Sequence, residues 1–428
     1  MDMRKSVLAC IILTLLIGLL ATACSGTTAP TAPAELIVTQ HGEPDPTAAT
    51  VAQGANEFAF RLSAALLEHG QTENFVVSPY SVWMPLAALT NATMDAYRPA
   101  LLEALSVAGI SPEDINHASS RMLFDLTTTQ GKDNDTDPLQ IANAIFVDHG
   151  FTLRQEFAQT FADFYRGALM NVDFASTAAV DAVNQWASDN TNGLIEEVIQ
   201  ELDPDTVAAL VNAIYFSDGW ANAFNPDRTE QDVFYTPTGE IYAYFMRQGW
   251  DETFYFEDAY IQSVTLPFAT GGGMTILLPK DGDAVGLLSG MDSAYFHRIR
   301  EDSILAQGSL LLPRFSIENT LTNLKGALIS LGVPLFDEVA KPLTGGLFDS
   351  DIGSWLGDAV QVAMIEVDEE GTTAAAVTVY EIAVDSEPEL PPVTFEMVCN
   401  TPFAFILHRN TVDGGRQILF TGVVNQPE

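Results

Sequence analysis

The stretch Glu369–Thr394, EEGTTAAAVTVYEIAVDSEPELPPVT, decides how the rest of this chain is read. Two acids and a glycine open it, small and β-branched residues follow without a proline until Pro388, and Pro391 and Pro392 close it. Val, Thr, Tyr and Ile between Thr372 and Val384 suit a pleated strand, and nothing among them removes a ladder donor. The alternating positions Thr372, Ala374, Ala376 and Thr378 are all small. One face of such a strand could therefore slide into a crowded sheet with little overpacking. An alanine-rich surface strand or a linker fits the same residues, so the remainder of the chain has to choose.

That remainder is long enough to bury a sizeable core. The 428 residues are 47% hydrophobic and 10% aromatic, too apolar for a disordered chain despite a formal net charge of -39 from 57 acidic and 18 basic side chains. The acidity excludes nucleic acid and heparin-like activators as partners, since these need clustered Lys and Arg. Arg4 and Lys5, an apolar run from Val7 to Leu20, and Ala21-Thr22-Ala23-Cys24 form a targeting segment too short to span a bilayer comfortably. Residues 1–23 are thus expected to be a signal peptide. Ala21 to Cys24 resembles a bacterial lipobox, making Cys24 a candidate for lipidation, with simple cleavage nearby as the alternative. Residues 24–47, rich in Thr, Ala and Pro, suit a flexible linker, and 48–428 a single folded domain. The expected location is secreted and lipid-anchored, at the bacterial cell surface or the periplasmic side of a membrane, with the lipid as the only membrane contact. Cys399 is left without a disulfide partner.

Along the domain, helical spacing runs from Ala48 to Leu67, from Tyr80 to Leu89 after a Ser78-Pro79 start, from Tyr97 to Leu105 and from Ile115 to Leu126. Asp133, Asp135 and Asp137 mimic a calcium loop, but Pro138 and Ala144 stand where glycine and a bidentate Glu are required. Strands are expected at Asn74–Val77, Ile141–Phe151 and Val172–Phe174, with helices at Leu153–Tyr165 and Val180–Ile195. Leu210–Phe216 reads as a strand buried on both faces. Several short strands are expected between Phe234 and Leu278, and one strand over LLLPRFSI. Helices follow at Ser293–Arg300 and Thr322–Leu331, and a closing hairpin pairs Phe403–Leu407 with Gln417–Val424. Helices crowd the first half and strands the second without βαβ alternation, which gives α+β in one domain.

From about Ala48 to the end the chain resembles a serpin. The resemblance is carried by NFVVSPYSV (Asn74–Val82), ANAIFV (Ala142–Val147), NQWASDNTNGLI (Asn184–Ile195), LVNAIYFSDGW (Leu210–Trp220), LPRFSIE (Leu312–Glu318), VDEEGTTAAAVT (Val367–Thr378) and NTPFAFIL (Asn400–Leu407), all in the family's order. It implies three β-sheets, eight or nine helices and an exposed reactive-centre loop where the opening stretch lies. It further implies a suicide substrate: the protease is acylated on the loop, the freed arm enters the main sheet as a new strand, and the covalently held protease is dragged roughly 45 Å. Glu369, Glu370, Gly371, Thr372, Thr373, Ala374, Ala375 and Ala376 would form the hinge, with Gly371 supplying backbone freedom. The family spacing puts the scissile bond at Asp385–Ser386, and a one-residue slip puts it at Val384. Ile382, Ala383 and Val384 would fill the neighbouring subsites. Aspartate in the specificity pocket calls for a protease with a basic residue there, of the caspase, granzyme B or bacterial Glu/Asp-specific kind. Trp220 matches a residue near the point of loop entry, and Ser78, Ser81 and Asn212 a polar cluster where strands part. Gln361 stands where the family usually has histidine, which removes a titrating group from that cluster.

Enzyme chemistry is not expected. His41, His69, His117, His149, His297 and His408 are scattered, and no H-E-x-x-H, G-x-S-x-G, CxxC or G-x-G-x-x-G occurs. Cys399 reads as an inert core thiol. No metal or cofactor is expected, the partner is the trapped protease, and the chain is expected to be a monomer. The alternative within the family is a non-inhibitory binding module at the cell surface.

Overall fold

The structure is a computed structural model that describes residues 46–68, 73–127, 139–174, 176–191, 193, 197–200, 207–321, 324–350, 352–357, 359, 361–372, 393–411 and 414–427. The expected signal, Cys24, the Asp133–Asp137 loop and most of the opening stretch lie outside these residues. Apolar spacing buries one face of helix α1 (Pro46–Glu68), with Val51, Phe58, Leu62 and Leu66 fully enclosed. The helix begins two residues before Ala48. Strand β1 (Phe75–Val77) leads into α2 (Pro79–Leu89). There the Ser78 side chain caps the Ser81 amide, and Pro79 occupies the first turn, where a missing donor costs nothing. Helices α3 (Arg98–Ala104) and α4 (Pro112–Thr127) follow.

Next come strand β2 (Leu139–Asp148), helix α5 (Gln155–Tyr165) and strand β3 (Gly167–Val172). Strand β3 precedes the expected Val172–Phe174. Arg166, at φ 51°, ends α5 in a left-handed cap, and Gly167 lies against the Phe161 ring with no room for a Cβ, so the chain reverses at once into the sheet. Helix α6 (Thr177–Asp189) starts earlier than the expected Val180–Ile195, because Ser176 caps the Ala178 amide, and it ends earlier, with Asn190 as its C-cap. Strands β4 (Ala208–Phe216) and β5 (Asp218–Gly219) come next. The expectation that Leu210–Phe216 is buried on both faces fails at Leu210, Val211, Asn212 and Tyr215, which are partly buried, and one edge of the strand borders a cavity.

The region expected to hold several short strands contains β6 (Glu230–Thr236), a single 19-residue strand β7 (Gly239–Glu257), β8 (Ile261–Pro267) and β9 (Gly273–Pro279). Helix α7 (Ala284–Ser289), capped by Asp283, was not anticipated, as Gly286 and Gly290 blur its spacing. Then come α8 (Ser293–Glu301), β10 (Ile304–Pro313), β11 (Phe315–Leu321) and α9 (Leu324–Ser330). The single strand expected over LLLPRFSI is thus two, parted at Arg314, and each pairs in a different sheet. The chain ends with β12 (Gln361–Val367), β13 (Gly371–Thr372), β14 (Val393–Val398) and the hairpin β15 (Phe403–Asn410) and β16 (Arg416–Val424).

The described residues hold nine α-helices, within the expected number, and the class is α+β as expected. Nine strands form one group in the order β1-β16-β15-β9-β8-β7-β10-β14, with β6 on β7. Helices α1, α2 and α7 pack on it through β15 and β16. The other strands are a layer in three pieces: β3-β2-β4, β11-β12 and β13-β5. Four hydrogen-bonded groups therefore stand where three sheets were expected, because β4 and β12 do not pair among the described residues.

Candidate functional site

The division between β4 and β12 is built from the N-terminus of α2. The Ser78 amide donates to Gln361 Oε1 at 2.9 Å, and Gln361 Nε2 returns a bond to the Ser78 carbonyl at 2.9 Å, so α2 holds the first residue of β12. Three residues along, Ser81 Oγ donates to Asn212 Oδ1, so the same helix end holds β4. Asn212 Nδ2 donates to Asn143 on β2 at 2.7 Å, Asn143 donates to the Tyr165 carbonyl, and the Tyr165 hydroxyl donates to Asn116 on α4 at 2.8 Å. Both edges of the division are thus fixed to one helix end, and one edge is relayed through β2 and α5 to α4. Between them lies a cavity of about 230 Å³, bordered by Leu86, Val183, Leu210, Ile214, Leu328 and Phe336. Among the described residues no strand pairing bridges it. Ser78, Ser81, Asn212 and Gln361, expected as one polar cluster, are brought together.

At the other end the division is closed by the start of the loop. The chain leaves β12, turns at Asp368–Glu370 and comes back as β13, antiparallel to β5, with Gly371 opposite Gly219 and Thr372 opposite Asp218. Asp368 Oδ1 accepts from the amides of Glu370 at 2.8 Å and Gly371 at 3.1 Å, an Asx-type turn. Trp220 clasps the turn twice: its amide donates to the Glu370 carbonyl and its indole Nε1 to the Asp368 carbonyl, both at 2.9 Å. The indole is stacked on Phe268 with ring centroids 5.1 Å apart. Phe224 N donates to the Glu369 carbonyl at 2.9 Å. Gly371 is required here for space: its backbone is extended, φ 159°, and a Cβ would collide with the Asp218 carbonyl oxygen. Gly371 thus lets two strands approach closely.

Two ion pairs flank this stem. The Glu369 carboxylate, 5% exposed, accepts from Arg314 Nε at 3.0 Å and Nη2 at 2.6 Å and from the Thr229 hydroxyl. Burial works against its ionisation, but the guanidinium and hydroxyl prevail and hold the carboxyl below its usual range. Arg314 itself is exposed and lies over the Tyr244 ring. On the other side Asp218 and Arg409 are both 3% exposed and 3.1 Å apart, and Thr270 bonds to each. Here burial wins and raises the Asp218 carboxyl, against Thr270 and Arg409. The same burial lowers Arg409.

Of the remaining expected site residues, Glu370 is exposed, while Thr373, Ala374, Ala375, Ala376, Ile382, Ala383, Val384, Asp385, Ser386 and Cys24 lie outside the described residues. Cys399 is fully buried, and burial pushes its thiol up, as an inert core cysteine requires. Among the described residues no group of three His, Cys, Asp or Glu is placed to hold a metal, and no helix is long and apolar enough to cross a membrane. The roles of Arg314, Asp218 and Arg409 were missed. Their one local signal is a base set among apolar strand residues in a chain with few bases: LPRF for Arg314 and FILHRN for Arg409.

The family described as Serpin (serine protease inhibitor) matches residues 53–427. An antitrypsin of Bombyx mori is 29% identical over 381 residues, covering 86% of this chain and 92% of that protein. Among solved structures, the native state of the thermophilic serpin tengpin superposes with a TM-score of 0.77 at 23% identity, covering 91% of this chain and 96% of the other. Human thyroxine-binding globulin with thyroxine bound superposes at 0.76 and 24% identity, covering 89% and 99%. At these identities the two structures share the fold.

Proposed function

The chain belongs to the serpin family, and from that premise we propose that it inhibits a protease as a suicide substrate, trapping the enzyme when its cut loop enters the divided layer. The observation that carries the reading is that β4 and β12 do not pair among the described residues, and that β13 begins at one end of the division between them. Extending the β13–β5 register residue by residue would set Ala374 opposite Phe216, Ala376 opposite Ile214 and Thr378 opposite Asn212. Asn212 points to α2, so the small alternating residues would share its face, against the helix. Insertion would also give a ladder to the edges of β4 and β12 that pair with no described strand.

In this reading the hinge runs from Glu369 to Ala376, Asp385–Ser386 is the reactive bond with Val384 as the one-residue alternative, and Ile382, Ala383 and Val384 fill the subsites. The target is an Asp-directed serine or cysteine protease. Prolines occur only after the cut, in the part that never enters the sheet. At the other terminus, residues 1–23 are proposed as a signal, Cys24 as a lipid-bearing residue and 24–47 as a tether holding the 48–428 domain at a bacterial membrane surface. Mass spectrometry of the mature N-terminus tests this part independently.

Mixing the full chain with an acid-specific serine protease is expected to give a denaturant-resistant complex larger than either partner. Cleaved chain alone, with the protease fully active, would defeat the inhibitor reading. A non-inhibitory binding module is the second reading, favoured by the fold shared with a thyroxine binder. Its mark would be a loop-cleaved form with no gain in melting temperature.

A further inference from the structure

The face of the β6–β7 ribbon that turns away from the core carries three exposed tyrosines. Register pairs Tyr235 with Glu240, Val233 with Tyr242 and Gln231 with Tyr244, so all six residues share one face. The opposite face is buried through Phe234, Ala243 and Phe245. Tyr242 is 70% exposed, Tyr244 52% and Tyr235 47%, although the strand beneath them is already packed without their help. Rings placed diagonally on neighbouring strands, with a carboxylate beside them, form a rigid amphipathic surface of the kind found at protein interfaces.

The ligand chemistry is indicated by the chain itself. Arg314 leaves the end of β10, donates its amide to the Tyr244 carbonyl at 2.9 Å and sets its guanidinium 5.8 Å from the Tyr244 ring centroid. One of the three rings therefore already seats a guanidinium, while Tyr242 and Tyr235 present theirs to solvent beside Glu240. Charge argues against the two nearest occupants. The 373–392 segment carries Glu381, Asp385, Glu387 and Glu389 and no base, and a second copy would bring another charge of -39. The position is also telling, since Arg314 is the residue that grips Glu369 at the root of the loop.

We propose that this tyrosine face docks an arginine-bearing surface loop of the protease that cuts the reactive loop, a second contact that rests on the inhibitor reading above. Cation–π contacts to exposed rings, with Glu240 alongside, would hold the enzyme next to the stem while its active site engages the loop. The long-range attraction of an acidic molecule for a basic partner would speed the encounter.

Two measurements on the full chain test this. In the first, fluorescein-labelled hexa-arginine is titrated at 150 mM salt and followed by anisotropy. The Tyr242→Ala/Tyr244→Ala variant, unchanged in charge, is expected to bind roughly tenfold more weakly. The Tyr242→Phe/Tyr244→Phe variant should bind like the wild type. Should the double alanine variant not fold, Tyr242→Ala alone serves, since Tyr242 is the most exposed of the three. Equal affinity of alanine variant and wild type overturns the proposal. In the second, the rate of complex formation with an acid-specific serine protease should fall in the Tyr242→Ala variant while the ratio of complex to cleaved chain stays constant. An unchanged rate overturns the protease as occupant, and so does a dimer in sedimentation that Tyr242→Ala abolishes. A wild-type chain that forms no complex defeats the inhibitor reading and the protease as occupant together, and the peptide titration still decides whether the face takes guanidinium.

Discussion

A carboxylate buried as deeply as that of Glu369 needs a donor, whereas the exposed Arg314 guanidinium can turn to water. Removing the arginine should therefore hurt more than its exposure suggests. Arg314→Ala is expected to destabilise the chain by about 1–2 kcal/mol in urea unfolding, the exposed partner being discounted for screening. Because the folded Glu369 carboxyl lies below its usual range, its contribution is fully present above the unfolded value, roughly pH 4.3, and is lost as pH falls through the lower folded value. In Arg314→Ala that acid-side loss should flatten. Asp218 acts with the opposite sign: raised by burial, its carboxyl favours the folded state at low pH, and that share is lost as pH rises through the folded value. It is also the partner of a buried guanidinium, so Asp218→Ala should cost about 3–5 kcal/mol, read from the same unfolding curves.

At the scale of elements, the turn between β12 and β13 is held by Trp220 from one side and admitted by Gly371 from the other. Gly371→Ala should push β13 off β5. Hydrogen exchange should then quicken at Trp220 and Phe224, whose amides bond to the Glu370 and Glu369 carbonyls, and proteases should yield cleaved chain in place of complex. Unchanged protection at these amides would mean that β5 gives way instead. Most elements could be read in advance because their signals are local: the Ser78-Pro79 start of α2, the spacing in α1, the closing hairpin. Where the reading failed, the cause lies at a distance. Strand β4 looks like a fully buried strand, yet several of its residues are half-buried, because only its β2 edge pairs among the described residues and the other borders a cavity. The close contact of Gly371 with a strand 152 residues earlier in the register has no local signal either. The polar cluster of Ser78, Ser81, Asn212 and Gln361 was legible through resemblance, whereas the Glu369–Arg314 and Asp218–Arg409 pairs, 55 and 191 residues apart, leave no periodic trace.

For the whole molecule the long-range force is its own charge. A net charge of -39 on 428 residues repels itself, and added salt screens that repulsion. The melting temperature should therefore rise between about 10 mM and 1 M sodium chloride. A fall would show that specific ion pairs outweigh the general repulsion. The two-residue strand β13 has a kinetic meaning as well. Growth of an ordered segment is slow at its first contact and fast afterwards, because the first contact fixes many torsions for little return. In the proposed insertion the first two rungs would exist before any bond is cut, since β13 is joined to β5 and anchored by Trp220 and Glu369. A released arm would need no nucleus of its own: it would start in register, as a zipper already engaged at its lowest teeth, and run at the speed of propagation alone.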